Sequence, residues 1–284
     1  MRIKGISGSR GIAVGNVYKY IQEEIVIPDY IVPEGGVDQE IAKFAGAMAA
    51  TLKQLDNIRK KTLDEMGPEE AAIFEAHMQI AQDPSLSDGI KALVESGAMN
   101  VVAATEQTIN TFADIFLGME DPYMRERGAD IKDIGDRLLR NMLGMNPRGL
   151  SHVTGDVILV AHDLAPSDTA SLDKSIVKGI VTAAGGPTSH AAIMARTLEI
   201  PAVMGLGDIE AFTNSERAVV LGTDGDVILE PTDEEFASYT QKAADFQKEL
   251  QLLKESANLP AVTTDGHHVE LFGNIGKAKD SKNA

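Results

Sequence analysis

The 284-residue sequence contains no cysteine and no tryptophan. Without cysteine there is no disulfide, no thiolate nucleophile and no cysteine-based metal site, so any covalent chemistry falls to another residue type. The absence also suits a reducing compartment. Aromatic residues make up only 5% of the chain, which argues against the stacking platforms that bind single-stranded nucleic acid. Basic residues are the scarcer charge, 26 Lys and Arg against 43 Asp and Glu, for a formal net charge of -17. Such a surface repels nucleic acid and anionic membranes and steers basic partners toward it, although the same charge also serves plain solubility. Met1 to Gly15 hold no apolar run, hence neither a secretory hydrophobic segment nor a membrane span, and the chain reads as cytoplasmic.

What is present is a hydrophobic fraction of 43% with 24% charged residues, ample for a buried core and long enough for roughly two domains. Ile3 to Tyr20 are β-branched and broken by glycines, which predicts short strands joined by tight turns. A loop with Pro28, Pro33, Gly35 and Gly36 follows. From Asp38 the period changes: Ile41, Phe44, Ala45, Met48, Leu52, Leu55 and Ile58 fall on one face of a helix. Gly67-Pro68 ends it and opens a second helix carrying Ile73, Phe74, His77, Met78 and Ala81, with later breaks at Asp83-Pro84, Gly97 and Asp121-Pro122. Residues 37–146 therefore read as an all-helical unit of four or five helices.

After Pro147 short strands are expected at Asp156–Val160, Ile176–Thr182, Ala202–Met204, Ala218–Leu221 and Val227–Leu229, with a helix between Ser189 and Leu198 and a hairpin turn at Thr223–Asp226. Alternating strand and helix make this part α/β, so the helical unit is an insertion between two pieces, 1–36 and 147–232, of one α/β domain. From Asp233 the apolar residues Phe236, Tyr239, Ala243, Phe246, Leu250 and Leu253 form a heptad seam, a linker helix over 233–258. Residues 259–284 offer one strand, His268–Leu271, and a polar tail too short for a core, as if a further domain begins there.

The chemistry concentrates in Gly185-Gly186-Pro187-Thr188-Ser189-His190, which follows a strand and opens a helix. Two glycines permit a sharp turn and close approach of a ligand, and Thr188 or Ser189 can cap the helix. The free N–H groups of the first turn, with the positive end of the helix dipole, favour a dianionic phosphoryl group on His190. Neutral imidazole is a nucleophile for phosphoryl transfer and a leaving group good enough to pass the phosphoryl on. The alternative is a histidine that only packs at a capped helix. The glycines match neither a Walker loop nor a dinucleotide fingerprint.

The stretch GGPTSHAAIMARTLEIPAVMG, Gly185 to Gly205, resembles the phosphohistidine signature of Enzyme I of the bacterial phosphoenolpyruvate:sugar phosphotransferase system, and less closely that of pyruvate phosphate dikinase and phosphoenolpyruvate synthase. ISGSRGIAVG, IFEAHMQIAQD, RERGADIKDIGDRLLRNMLG and DGHHVELFGNIG resemble Enzyme I in the family's order, so the likeness covers essentially the whole chain. The helical insertion is similar to the Enzyme I subdomain that binds the small phosphocarrier protein and has no counterpart in the dikinases. The fold this implies is an α/β phosphohistidine (swivelling) domain with an inserted all-α helical bundle subdomain.

By that resemblance His190 is the phosphorylated residue, Thr169 in LAPSDTA contacts its imidazole, and Gly186, Thr188 and Ser189 complete the motif. Thr169 also reads as a plain loop or cap residue. Carrier contacts map to Glu69, Glu75, His77, Met78, Asp83 and Arg127, where Glu69 and Glu75 alone would pass for a solvated helix face and His77 for a packed or interface residue. Pro187 stands where many Enzyme I sequences have a basic residue, and Pro68 and Glu70 depart from the usual carrier-binding region. The resemblance implies a phosphoenolpyruvate-protein phosphotransferase whose phosphoenolpyruvate and magnesium bind a C-terminal barrel that barely begins here. It implies no metal in this chain, phosphate exchange with the histidine-containing phosphocarrier alone, a monomeric fragment and a full-length homodimer. The competing functions are a dikinase-type swivelling domain and a non-catalytic interaction module.

Overall fold

The computed structural model describes residues 1–270 apart from 22, 98, 147–152, 154, 171 and 257–259, with the backbone alone at 122, 123, 126 and 256. The predicted boundary at 147 and the last residue of the predicted strand, Leu271, lie outside the described residues. The chain divides into two compact units, Met1–Thr240 and Gln241–Ala284.

In the first unit the glycine-broken opening forms β1 (Arg2–Lys4), β2 (Ile6–Ser9) and β3 (Ile12–Tyr20). Five helices follow: α1 (Val37–Glu65), α2 (Pro68–Ala81), α3 (Pro84–Glu95), α4 (Val101–Leu117) and α5 (Pro122–Leu143). The chain then alternates through β4 (Val157–Ala161), α6 (Pro166–Thr169), β5 (Val177–Thr182), α7 (His190–Thr197), β6 (Ala202–Met204), β7 (Arg217–Leu221) and β8 (Asp226–Leu229). α8 (Asp233–Ser256) begins in the first unit and continues in the second. The fold is an α/β domain with a helical subdomain, and the short α6 is the element that sequence periodicity did not reveal.

The described strands form one sheet in the order β1, β8, β7, β3, β4, β5, β6, β2, with β3, β4, β5 and β6 parallel and the remaining pairs antiparallel. Tyr18, Leu159, Ile180 and Ala202 lie side by side across the parallel strands and face one core. Val160, Val181 and Val203 alternate with them and face another. Burial on both faces is why these strands read as continuous apolar runs and not as alternating patterns. β4 pairs with β3, the strand the chain left before α1. Both ends of the helical unit therefore sit on adjacent strands, which is the geometry of an insertion.

β1 and β2 stand at opposite ends of the sheet although Gly5 alone separates them. The sheet must curl until its edges approach, and the close contacts there require glycine. Gly222 shows this best: a Cβ would collide with the Ser9 carbonyl and lie 3.0 Å from the Ala202 amide nitrogen. Both are backbone atoms that cannot rotate away. Gly222→Ala should cost roughly 1–3 kcal/mol, seen as a lower urea midpoint at unchanged slope.

Each predicted break in the bundle has a mechanism. Gly67 takes φ +110 with Pro68 at the first turn of α2, Asp83 caps α3 by accepting the Ser85 N–H at 2.8 Å, and Asn100 caps α4 through Val102 and Ala103 at 3.1 and 3.0 Å. The buried stripe of α1 is Phe44, Ala47, Thr51, Leu55 and Thr62. Ala45, placed on it by periodicity, is exposed, because Thr51 and Thr62 sit inward and shift the face.

The segment before α1 is pinned by Tyr30, whose hydroxyl donates to Glu40 at 2.8 Å, while Glu40 also accepts the Val101 N–H at 2.8 Å. Burial, then the Glu40 carboxylate, pushes the Tyr30 phenol up to about 12 from an ordinary 10.0. The folded state thus favours the neutral phenol, and its stabilisation is intact below pH 10 and lost between about pH 10 and pH 12. Alkaline unfolding followed by circular dichroism should show this loss, and Tyr30→Phe should remove that component.

Phe236 and Tyr239 at the start of α8 are half-buried as the heptad pattern predicts, with the Arg217 guanidinium 5.0 Å above the Phe236 ring and Tyr239 packed on Val219, Leu221 and Ile228. In the second unit the predicted strand at His268 is only an isolated bridge to Val262. A two-stranded ribbon without a sheet beside it is marginal in water, which accounts for the difference.

Candidate functional site

β4 and β5 run parallel and end side by side, so the loops leaving them, 162–165 and 183–189, lie together at the carboxyl edge of the sheet. A backbone bond ties these loops together, from Ala184 N–H to His162 O at 2.8 Å, and Gly207 N–H, after β6, donates to Ala183 O at 2.9 Å. The first loop leads into α6 and the second into α7, whose first residue is His190.

The turn before His190 works as the sequence suggests, with its roles redistributed. Gly185 adopts φ +87, a conformation that L side chains rarely take. Gly186 has negative φ and open space where a Cβ would stand, so its contribution is its carbonyl, which accepts the Ser189 hydroxyl at 2.9 Å. Of the two candidate caps Ser189 acts, accepting the Ala192 N–H at 3.3 Å, while Thr188 is exposed. With Ala192 satisfied, the His190 and Ala191 N–H groups have no hydrogen-bond partner among the described residues. The His190 side chain is half-buried and makes no hydrogen bond or ion pair among the described residues. An imidazole beside two free N–H groups at a helix start can accept and hold a dianionic group.

Arg196 was not singled out from sequence. Its Nη1 donates to the Pro187 carbonyl at 2.8 Å and to the Gly8 carbonyl at 2.9 Å, which fastens the histidine loop to β2 from the far end of α7. The signal, an arginine six residues after the histidine, has no meaning until the loop folds back. Arg196→Met should lower the melting temperature by roughly 2–4 °C, the shift expected for about 1 kcal/mol in a unit of this size.

Thr169 is fully buried, and its hydroxyl donates to the Pro166 carbonyl at 2.9 Å within α6. No hydrogen bond joins Thr169 to the His190 ring among the described residues, and the Thr169 hydroxyl is turned into its own helical turn. Asp168 beside it is also buried and accepts the Tyr20 hydroxyl at 2.8 Å and the Ala165 N–H at 3.1 Å, fixing α6 to β3.

The six surface residues expected on the bundle separate into three groups. Asp83 and Arg127 line a groove of about 420 Å³ floored by Phe112, Phe116, Met124 and Ile131. Glu69 and Glu75 are exposed on α2, with Glu75 3.6 Å from Arg59, and Met78 is half-buried against Leu55 and Phe74. His77 takes the packed alternative and not the surface one: it is completely buried beside Asp130 and Asp133. It falls between Phe74 and Ala81, the inward positions of α2.

Among the described residues no group of three or more His, Asp or Glu side chains is placed to hold a metal ion. No described helix is long and apolar enough to cross a membrane.

Residues 4–127 match the family described as PEP-utilising enzyme, N-terminal, and residues 153–225, which contain His190, match PEP-utilising enzyme, mobile domain. A solved solution structure of an Enzyme I protein superposes with a TM-score of 0.73 at 37% identity, covering 86% of this chain and 99% of that one. The chain belongs to the Enzyme I family. Curated relatives named phosphoenolpyruvate-protein phosphotransferase include that of Staphylococcus carnosus (strain TM300), 40% identical over 280 residues, which are 98% of this chain and 48% of the relative. The protein of Bacillus subtilis (strain 168) is 37% identical over 284 residues, 99% of this chain and 49% of the relative. The chain thus spans about half the length of the curated Enzyme I relatives it matches. The N-terminal domain of an Enzyme 1 described as nitrogen shares the fold at 24% identity and a TM-score of 0.55, covering 89% of this chain and 99% of that one.

Proposed function

We propose that His190 carries a phosphoryl group as a covalent intermediate between phosphoenolpyruvate and the histidine-containing phosphocarrier protein of the sugar phosphotransferase system. The observation that carries this reading is the imidazole at the start of α7, which, like two N–H groups beside it, has no partner among the described residues. Transfer forms a bond from phosphorus to an imidazole nitrogen of His190 as the bond to the donor breaks. The N–H groups stabilise the charge on the equatorial oxygens, and the protein supplies position and electrostatics. The onward step reverses the geometry toward the carrier histidine. Thr169 needs only a rotation of its hydroxyl away from Pro166 to take the role the family resemblance assigns it.

The groove between Asp83 and Arg127 is the docking place in this reading, since its floor is apolar, Glu69 and Glu75 lie exposed on the same α2, and the net charge of -17 favours a partner with exposed basic residues. Phe116→Asp should weaken carrier binding by roughly tenfold or more, as burying a carboxylate in an apolar hot spot does. This is measurable by isothermal titration.

Phosphoenolpyruvate and magnesium belong, on this reading, to the half of the Enzyme I relatives' length that this chain does not span. The chain by itself then exchanges phosphate with the carrier only, is a monomer, and works in the cytoplasm; the full-length enzyme is a homodimer. Intact-mass measurement after incubation with phosphoenolpyruvate and magnesium, or separately with phosphorylated carrier, tests this. An acid-labile adduct from the carrier alone supports the reading, and no adduct from either donor leaves the interaction module in its place.

A further inference from the structure

The bundle and the α/β part of the first unit meet along a seam with little apolar content. Leu55 and Phe74 close on Ala170 at the end of α6, with Ile58 and Met78 at the margin. Polar contacts lie beside this cluster. His77 on α2 is completely buried, with Nε2 3.2 Å from Asp130 Oδ1 and Nδ1 3.7 Å from Asp133 Oδ2, both on α5. Neither ring nitrogen is aligned for a hydrogen bond, and Asp130 Oδ1 has none. Asp133 Oδ2 instead accepts a 2.6 Å hydrogen bond from the buried Ser167 hydroxyl on α6. Arg127 approaches Asp130 Oδ2 from the half-exposed side at 3.5 Å. At the outer end of the seam Thr197, the last residue of α7, donates to Glu70 on α2 at 3.2 Å.

We propose that this polar seam is an orienting latch, in which Ser167 and Asp133 are positioning residues that fix α6, and through its packing on α7 the helix bearing His190, relative to the exposed face of α2. The proposal rests on the reading of His190 as the phosphoryl carrier and of α2 as part of the docking surface. Apolar contact is non-directional and tolerates sliding, whereas a short hydrogen bond to a carboxylate holds one geometry. In-line transfer needs that geometry, since a misplacement of about 1 Å costs roughly a hundredfold in rate. Buried polar atoms without partners are rare and call for an explanation. His77 stands between two carboxylates and makes a hydrogen bond to neither, so a small shift of α2 trades one approach for the other. Docking on α2 and the orientation of α7 are then coupled through α5 and α6.

The chain has no cysteine, so Ala72→Cys on α2 and Ile193→Cys on α7, both exposed, place two unique spin labels across the seam. Their distance distribution should be narrow in the otherwise unchanged protein and broadened or shifted when Ser167→Ala is added. Asp133→Asn, which keeps an acceptor oxygen, should retain the narrow distribution. In unlabelled proteins, transfer from phosphorylated carrier at saturation should fall roughly tenfold in Ser167→Ala, with carrier affinity near that of the parent. A distribution unchanged by Ser167→Ala overturns the latch whatever the rate does, and so does a rate loss confined to carrier affinity. A parent chain that takes no phosphate overturns the reading of His190 instead, and the label distances still decide the latch.

Discussion

His190→Ala is expected to abolish the acid-labile phosphoryl adduct completely while leaving the fold in place. The imidazole makes no hydrogen bond among the described residues and is half-buried, so its removal opens no sealed cavity and strands no partner. Alanine is a good residue at the first position of a helix, and the Ser189 cap is untouched. Stability should stay within about 0.5 kcal/mol of the parent, as for surface substitutions away from special features. Loss of the adduct with an unchanged melting curve is therefore specific to the nucleophile. His162, which is exposed, follows β4 at the same edge of the sheet. An adduct that survives in His190→Ala and disappears in His162→Ala would move the chemistry to the neighbouring loop.

Phe74→Ala should be the most damaging single truncation at the seam, at about 3–5 kcal/mol, the usual range for a buried phenylalanine. The ring is 1% exposed, packs against Leu55 and Ala170, and meets the His77 ring edge-on with centroids 5.7 Å apart. Its loss removes most of the apolar contact between bundle and α/β part and leaves the His77 cluster beside a cavity. Thermal unfolding should drop by roughly 6–20 °C at about 2–4 °C per kcal/mol. Calorimetry should also begin to show two transitions, since the remaining polar contacts couple the two parts less tightly. A single transition at the parent temperature would mean that the seam is held elsewhere.

Much of this architecture is local information. The bundle helices start where Pro68, Pro84 and Pro122 put a residue without an amide donor into a first turn, and Asp83 and Asn100 cap their neighbours over two or three residues. The turn before His190 is likewise a matter of adjacent residues, which is why a glycine turn, a hydroxyl cap and a histidine at a helix start were all legible. Less legible were side chains engaged inside a short turn or paired with a distant segment. Thr169 lies in a helix too short for periodicity to announce, and a turn closed by its own Pro166 carbonyl takes its hydroxyl. Asp83 looked like a docking residue and is also a cap. Glu70, a departure from the family pattern, meets Thr197 from the other subdomain.

By itself the sequence determined the α/β class with its inserted bundle, the main helix breaks, and the place of the histidine at a helix start, because capping, turn geometry and hydrophobic period act over a few residues. Only the tertiary structure decided that the sheet curls onto Gly222, that His77 is interior, and that Ser167 and Asp133 join the two parts. Those contacts depend on packing between segments far apart in the chain, where a buried polar group is set by the partner that folding brings to it and not by its neighbours in sequence.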